Sequence, residues 1–130
     1  MDLNKSRVGF GMAVSDKTEA RAFYEDTLGL SQRSGSDENW EYVCGEDTRF
    51  RIYVSPGSAG TSKATQVSWG VEDIEEAVEV LTARGVVFEQ YHQGGIQTNP
   101  QGIATFEGGG RVAYFKDPDG NILSLAQAPT

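Results

Sequence analysis

Val14-Ser15-Asp16-Lys17-Thr18-Glu19 and Val71-Glu72-Asp73-Ile74-Glu75-Glu76 are the two stretches whose reading decides the fold. In each, a strand-like run ends at an aspartate and a glutamate follows three positions later, the spacing of a capping box that opens a helix. After the first, Ala20, Phe23, Tyr24 and Leu28 recur at three- and four-residue spacing up to Gly29. After the second, Ile74, Ala77, Val78 and Leu81 do the same up to Arg84-Gly85. Residues so spaced share one helix face, and glycine takes the left-handed conformation that ends a helix. The spacing predicts one amphipathic helix over Lys17 to Leu28 and a second beginning at Ile74.

Outward from these helices the chain reads as short strands. Val8 to Val14 precedes the first helix, and Leu30 to Arg33, Trp40 to Cys44 and Arg49 to Val54 follow it, with turn residues between them. Gln66 to Val71 precedes the second helix. Val86 to Tyr91, Ile103 to Phe106, Arg111 to Lys116 and Asn121 to Ala126 come after it. The pattern is an internal duplication, and it predicts an α+β fold of tandem βαβββ modules in one structural domain. The first module spans 1–55, the stretch 56–65 with Pro56, Gly57 and Gly60 is the linker, and the second module spans 66–130.

Composition removes several function classes. Eleven Lys and Arg against 19 Asp and Glu leave a net charge of −8, which repels a phosphate backbone and argues against nucleic acid as a partner. No run of about 18 apolar residues is present, and the first residues lack a secretory pattern, so a cytoplasmic protein without a membrane partner is expected. Cys44 and His92 are the sole residues of their types, which excludes an intrachain disulfide and a Cys/His zinc site. Cys44, alternating with Trp40 and Tyr42, reads as a small apolar residue rather than a nucleophile. His92 lies just past a strand, at the start of a long Gly- and Gln-rich loop over 92–102 that could fold over a cavity mouth. Without a partnering carboxylate it makes a poor general base. Gly108-Gly109-Gly110 falls between two strands and reads as a hairpin turn, not a phosphate loop. Asp117-Pro118-Asp119-Gly120 reads as a β-turn.

Three segments together resemble the vicinal oxygen chelate superfamily of glyoxalases, extradiol dioxygenases and bleomycin-resistance proteins. They are Val14-Ser15-Asp16 with Ala22-Phe23-Tyr24 and Leu28-Gly29-Leu30; Val71-Glu72-Asp73-Ile74 with Ala83-Arg84-Gly85-Val86; and Phe115-Lys116-Asp117-Pro118-Asp119-Gly120-Asn121. The resemblance implies one curved eight-stranded sheet whose concave face holds a ligand cleft, helices on the convex face, and a homodimer. It also implies where a divalent metal would be held in metal-dependent members: at Gly9, near Arg51 to Tyr53, at Gln66 and at Ser124. A glycine, an amide, a hydroxyl and a Tyr or Arg are poor ligands, since transition metals take imidazole, thiolate or carboxylate. No metal and no other cofactor is expected.

Strand alternation then sorts the side chains. With Gln66 facing the cleft, Ser68 and Gly70 share its face, while Val67, Trp69 and Val71 face the helices. Phe50, Ile52 and Val54 form a core set, which turns Arg51 and Tyr53 to the cleft. Ser124 faces the cleft between Leu123 and Leu125. On the third strand, periodicity leaves Trp40 and Tyr42 open between core and pocket wall. Because Phe23, Tyr24, Phe50, Ile52 and Trp69 already fill the space under the helices, Trp40 and Tyr42 are assigned to the pocket, and Tyr114 with them. The expected function is metal-independent binding of an aromatic, antibiotic-like or toxic small molecule, with the net charge favouring a cationic guest. The ligand-binding set is Trp40, Tyr42, Arg51, Tyr53, Gln66, Ser68, Tyr114 and Ser124. The alternative is a metal-dependent lyase, isomerase or dioxygenase-like enzyme of the same superfamily.

Overall fold

In each unit the capping aspartate behaves as the sequence predicts. The Asp16 carboxylate accepts from the Thr18 and Glu19 amides at 2.7 and 3.3 Å, and that of Asp73 accepts from the Glu76 amide at 3.1 Å. A cap of this kind contributes about 1 kcal/mol. The structure, a computed structural model, describes residues 1–31 and 33–130. In the first unit β1 (Gly11–Val14) leads into α1 (Lys17–Arg21), which widens into a π-helical stretch over Ala22–Thr27 before β2 (Ser34–Gly35), β3 (Asn39–Val43) and β4 (Arg49–Val54). In the second, β5 (Thr65–Gly70) leads into α2 (Ile74–Ala83), then a small hairpin of β6 (His92–Gln93) and β7 (Ile96–Gln97), and then β8 (Ile103–Thr105), β9 (Arg111–Lys116) and β10 (Ile122–Gln127). Among the described residues no helix is long and apolar enough to cross a membrane.

The two sheets repeat one topology. The strand order is β1-β4-β3-β2 in the first and β5-β10-β9-β8 in the second, with the opening strand parallel to the closing one. Eight strands lie in two four-stranded sheets rather than in the expected single curved sheet, because among the described residues β1 and β5 each bond a strand on one side only. The first strand is shorter than Val8 to Val14. Before Gly11, the ladder continues only through the Phe10 carbonyl, which accepts from the Arg51 amide at 2.8 Å. The strand expected over Leu30 to Arg33 is not formed by Leu30, Ser31 or Arg33 and lies instead at Ser34–Gly35, in the stretch read as a turn, while Gln32 lies outside the described residues. Val86 to Tyr91 makes a single bridge, Phe88 to Phe115, because Val86 and Phe88 turn into the core and the chain then leaves the sheet.

Side chains, not backbone, join the units. Phe50 of the first meets Trp69 of the second edge-to-face at 5.7 Å, and Trp69 stacks on Phe115 at 6.4 Å. Such pairs add roughly 0.5–1.5 kcal/mol each beyond the area they bury. The turn at Asp117–Asn121 supplies the polar half of the junction. Asp117, 5% exposed, accepts from the Tyr24 hydroxyl at 2.8 Å, from the Asn121 side-chain and backbone N–H groups at 2.9 Å, and from the Asp119 amide at 2.9 Å. Asn121 donates onward to the Ala13 carbonyl at 2.8 Å, and Asp119 accepts from the Ser15 amide at 3.0 Å. Burial, and then the Asp117 charge, push the Tyr24 phenol far above its ordinary range. The linker is tied in as well. Gly60, at φ +67, donates to the Asn121 amide oxygen at 3.1 Å, and a Cβ there would lie 1.9 Å from the Asp119 carbonyl oxygen.

Candidate functional site

Residues directly opposite on neighbouring strands point to the same side of a sheet, so the register of β1, β4 and β3 separates core from cleft. One row is Met12, Ile52 and Trp40, and Phe50 lies opposite Tyr42; all five are buried. The alternate row is Gly11, Arg51 and Glu41. Trp40 and Tyr42 are thus core residues, and their assignment to the pocket is corrected. Both are fully buried, Trp40 beneath the Arg21 guanidinium at 5.2 Å and Tyr42 donating to the Glu25 carboxylate at 2.8 Å. Burial, aided by that carboxylate, raises the Tyr42 phenol above its ordinary range. The physical reason is register: once Phe50 and Ile52 face the helices, their cross-strand partners face the helices too.

In the second unit the equivalent row is Ser68, Ser124 and Tyr114. The Ser124 hydroxyl donates to that of Ser68 at 2.7 Å and is itself buried. Tyr114 meets Tyr91 edge-to-face at 5.5 Å. The Gln66 amide nitrogen donates to the Ser62 hydroxyl at 3.0 Å and the Ala64 carbonyl at 3.1 Å.

These rows border two adjoining hollows that share Phe10, Thr48, Arg49 and Phe50. The larger, of about 500 Å³, is lined by Gly9, Gly11, Glu41, Arg51 and Tyr53 among others. The smaller, of about 270 Å³, reaches across to Gln66, Ser68 and Trp69 of the second unit. Of the eight expected ligand contacts, Arg51 and Tyr53 line the larger lobe, and Gln66 and Ser68 the smaller. Ser124 sits behind Ser68, Tyr114 stands off with Tyr91, and neither lines a lobe. The lobes are also lined by residues outside the expected set, among them Phe10, 64% exposed, Arg7, Asp47, Thr48, and the ion-paired Glu41 and Arg49. The opposite charges of Glu41, Arg49 and Arg51 on successive strands are the signal that would have found two of them and set the register. Residues 92–102 line neither lobe, so the loop does not cover the mouth. His92 is exposed in the β6–β7 hairpin, with Nδ1 3.1 Å from the Gln97 amide oxygen.

The side chains at the implied ligand positions do not fit a divalent ion. Gly9 offers none, Arg51 brings a cation, the Ser124 hydroxyl is spent on Ser68, and Gln66 is a neutral amide. Such a set lacks the carboxylate or imidazole charge that holds a transition metal. Among the described residues no three His, Cys, Asp or Glu side chains are grouped so as to hold one.

Fold and cleft define a paired βαβββ protein with a ligand-sized hollow on its open face. The chain belongs to the Glyoxalase/Bleomycin resistance protein/Dioxygenase superfamily, which matches it over residues 8–125. Similar solved structures include a glyoxalase/bleomycin resistance protein from Catenulispora acidiphila, at TM-score 0.69 and 22% identity, covering 95% of this chain and 98% of that one. TnmS3, an antibiotic binding protein from Streptomyces, is similar at TM-score 0.64 and 24% identity, covering 96% and 97%. The fosfomycin resistance protein FosX from Listeria monocytogenes is similar at 0.68 and 15%, covering 95% and 93%. No curated protein matches the sequence.

Proposed function

We propose that this protein binds an aromatic, antibiotic-like or toxic small molecule in the cleft without a metal, and that it does so as a homodimer. The carrying observation is the larger lobe itself: a hollow of ligand size, floored by Gly9 and Gly11 and walled by Tyr53 and Phe10, with Arg51 and Tyr53 near the place where the resemblance puts a metal-binding carboxylate. Hollows of this size with a few placed polar groups suit flat organic molecules. The likeness to TnmS3, an antibiotic binding protein, supports the reading. The dimer is supported by the free edges of β1 and β5 and by the exposed Leu3, Val8 and Phe10 beside them, since open strand edges invite pairing with another chain.

The test is a fluorescence screen of aromatic antibiotics read through Trp69, with and without a chelator, alongside elemental analysis and sedimentation equilibrium. A bound compound should lose at least about tenfold in affinity, roughly 1.4 kcal/mol, in Tyr53→Ala or Phe10→Ala. Its affinity should not change with chelator. Binding that needs an added divalent ion, or that ignores both substitutions, overturns the proposal. A monomer mass at micromolar concentration overturns the dimer.

A further inference from the structure

The wall chemistry of the larger lobe assigns a charge to its occupant. We propose that the cleft selects a planar aromatic ring carrying an oxyanion such as a carboxylate, with Arg51 as the group that reads the charge; this rests on the cleft reading above. The sign is opposite to the cationic guest that net charge alone favours.

Three arginines, Arg7, Arg49 and Arg51, line the lobe against two carboxylates, Glu41 and Asp47. The chain as a whole has 11 basic and 19 acidic residues, so the lobe reverses the sign of the molecule. The arginines are also under-compensated. Glu41 is shared, one oxygen taking Arg49 at 3.3 Å and the other taking Arg51 at 3.1 Å. Asp47 serves Arg49 alone, at 2.8 Å, from an exposed turn. The other partner of Arg51 is the neutral Asn39 amide oxygen at 2.6 Å. The guanidinium therefore holds half of one carboxylate, and its side chain is 46% exposed. Arg7 makes no ion pair among the described residues. Arg49 Nε is buried and has no hydrogen-bond partner among them.

Ring and charge positions agree. Arg51 and Tyr53 are two apart on β4 and point to the same face, about 7 Å apart along the strand. An oxyanion on Arg51 would carry its attached ring over Tyr53. Gly11 lies against that platform: a Cβ there would stand 3.4 Å from the Tyr53 ring, at ordinary contact distance. Planar guanidinium is suited to this task because it meets a carboxylate with two parallel N–H groups. Among the described residues the second unit offers no unpaired cation at the matching place. Its row is Ser68, Ser124 and Tyr114, and the nearby Lys116 is paired with Glu89 at 3.7 Å.

The experiment titrates the protein with three probes sharing one ring system, 2-naphthoate, 2-naphthamide and 2-naphthylmethylammonium, followed by NMR. Naphthoate should bind at least about tenfold more tightly than the ammonium, and the gap should shrink as salt is raised. Arg51→Gln, a change at a half-exposed side chain, should abolish the gap by weakening naphthoate at least about tenfold more than naphthamide. Tyr53→Ala should weaken all three. Equal affinity for naphthoate and naphthamide, a preference for the ammonium, or a preference that survives Arg51→Gln overturns the charge inference alone. Failure of all three probes to bind overturns the cleft reading and this inference with it.

Discussion

The two units share strand order, helix caps and register, yet the faces they turn to the cleft have little chemistry in common. In the first, Gly11, Arg51 and Glu41 stand in a row; in the second the same row holds Ser68, Ser124 and Tyr114. One wall is ionic and the other neutral. Their hairpin turns diverge as much. Cys44 to Thr48 is exposed at its tip, whereas Asp117 and Asn121 at the ends of the other turn are buried against the first unit. The duplicated backbone thus sets positions, and divergence at a handful of side chains makes one turn a surface loop and the other a clamp.

The largest expected effect breaks this contrast at the turns. Asp117→Ala removes an acceptor used by the Tyr24 hydroxyl, the Asn121 amide groups and the Asp119 amide, and should cost about 3 kcal/mol or more. Asp47→Ala, in the exposed turn of the other unit, should cost no more than about 0.5 kcal/mol. Urea unfolding of the two variants decides it, and equal losses would show that the turns are not specialised. Next comes alkaline pH. Tyr24 and Tyr42, both buried in the first unit, are held as neutral phenols with affinity for protons above the ordinary value. A raised folded-state value gives stability that is present below the ordinary tyrosine range and lost as pH climbs above about 10. Thermal unfolding from neutral to strongly alkaline pH should show that loss, and Tyr24→Phe should lessen its steepness while lowering stability at neutral pH by about 1–3 kcal/mol. The smallest effect compares the walls. A double-mutant cycle on Ser68 and Ser124 should yield about 1 kcal/mol of coupling, and one on Glu41 and Arg51 about 0.5 kcal/mol, because the ion pair is open to water.

Much of the fold was legible in the sequence because its signals are local. Asp16 and Asp73 cap within three residues, and Gly29 and Gly85 each directly follow the residue at the C-terminal cap. Strand faces were legible wherever one strand carried an unambiguous aliphatic set, as at Phe50 and Ile52 or Leu123 and Leu125. Trp40 and Tyr42 failed because an aromatic fits either face of a strand, and only the pairing of β3 with β4 settles which. That pairing is a non-local fact, hinted at by Glu41 opposite Arg51 but not by periodicity. The joining role of Asp117 was hidden for the same reason: Tyr24, its partner, lies 93 positions away.

The π-helical stretch at Ala22–Thr27 records a difference in length between the copies. Thirteen positions separate Asp16 from Gly29, and twelve separate Asp73 from Gly85. A π turn holds one more residue than an α turn, and here the Leu28 amide reaches back five positions to the Phe23 carbonyl at 2.9 Å. The surplus residue is absorbed as a bulge, so the residues before and after it keep their places against the sheet. In a regular helix one extra residue rotates everything downstream by about 100°; here the π turn takes it up. Deleting one residue between Ala22 and Asp26 should therefore yield a regular α-helix matching the second copy, a tolerance that a helix without such a bulge does not possess.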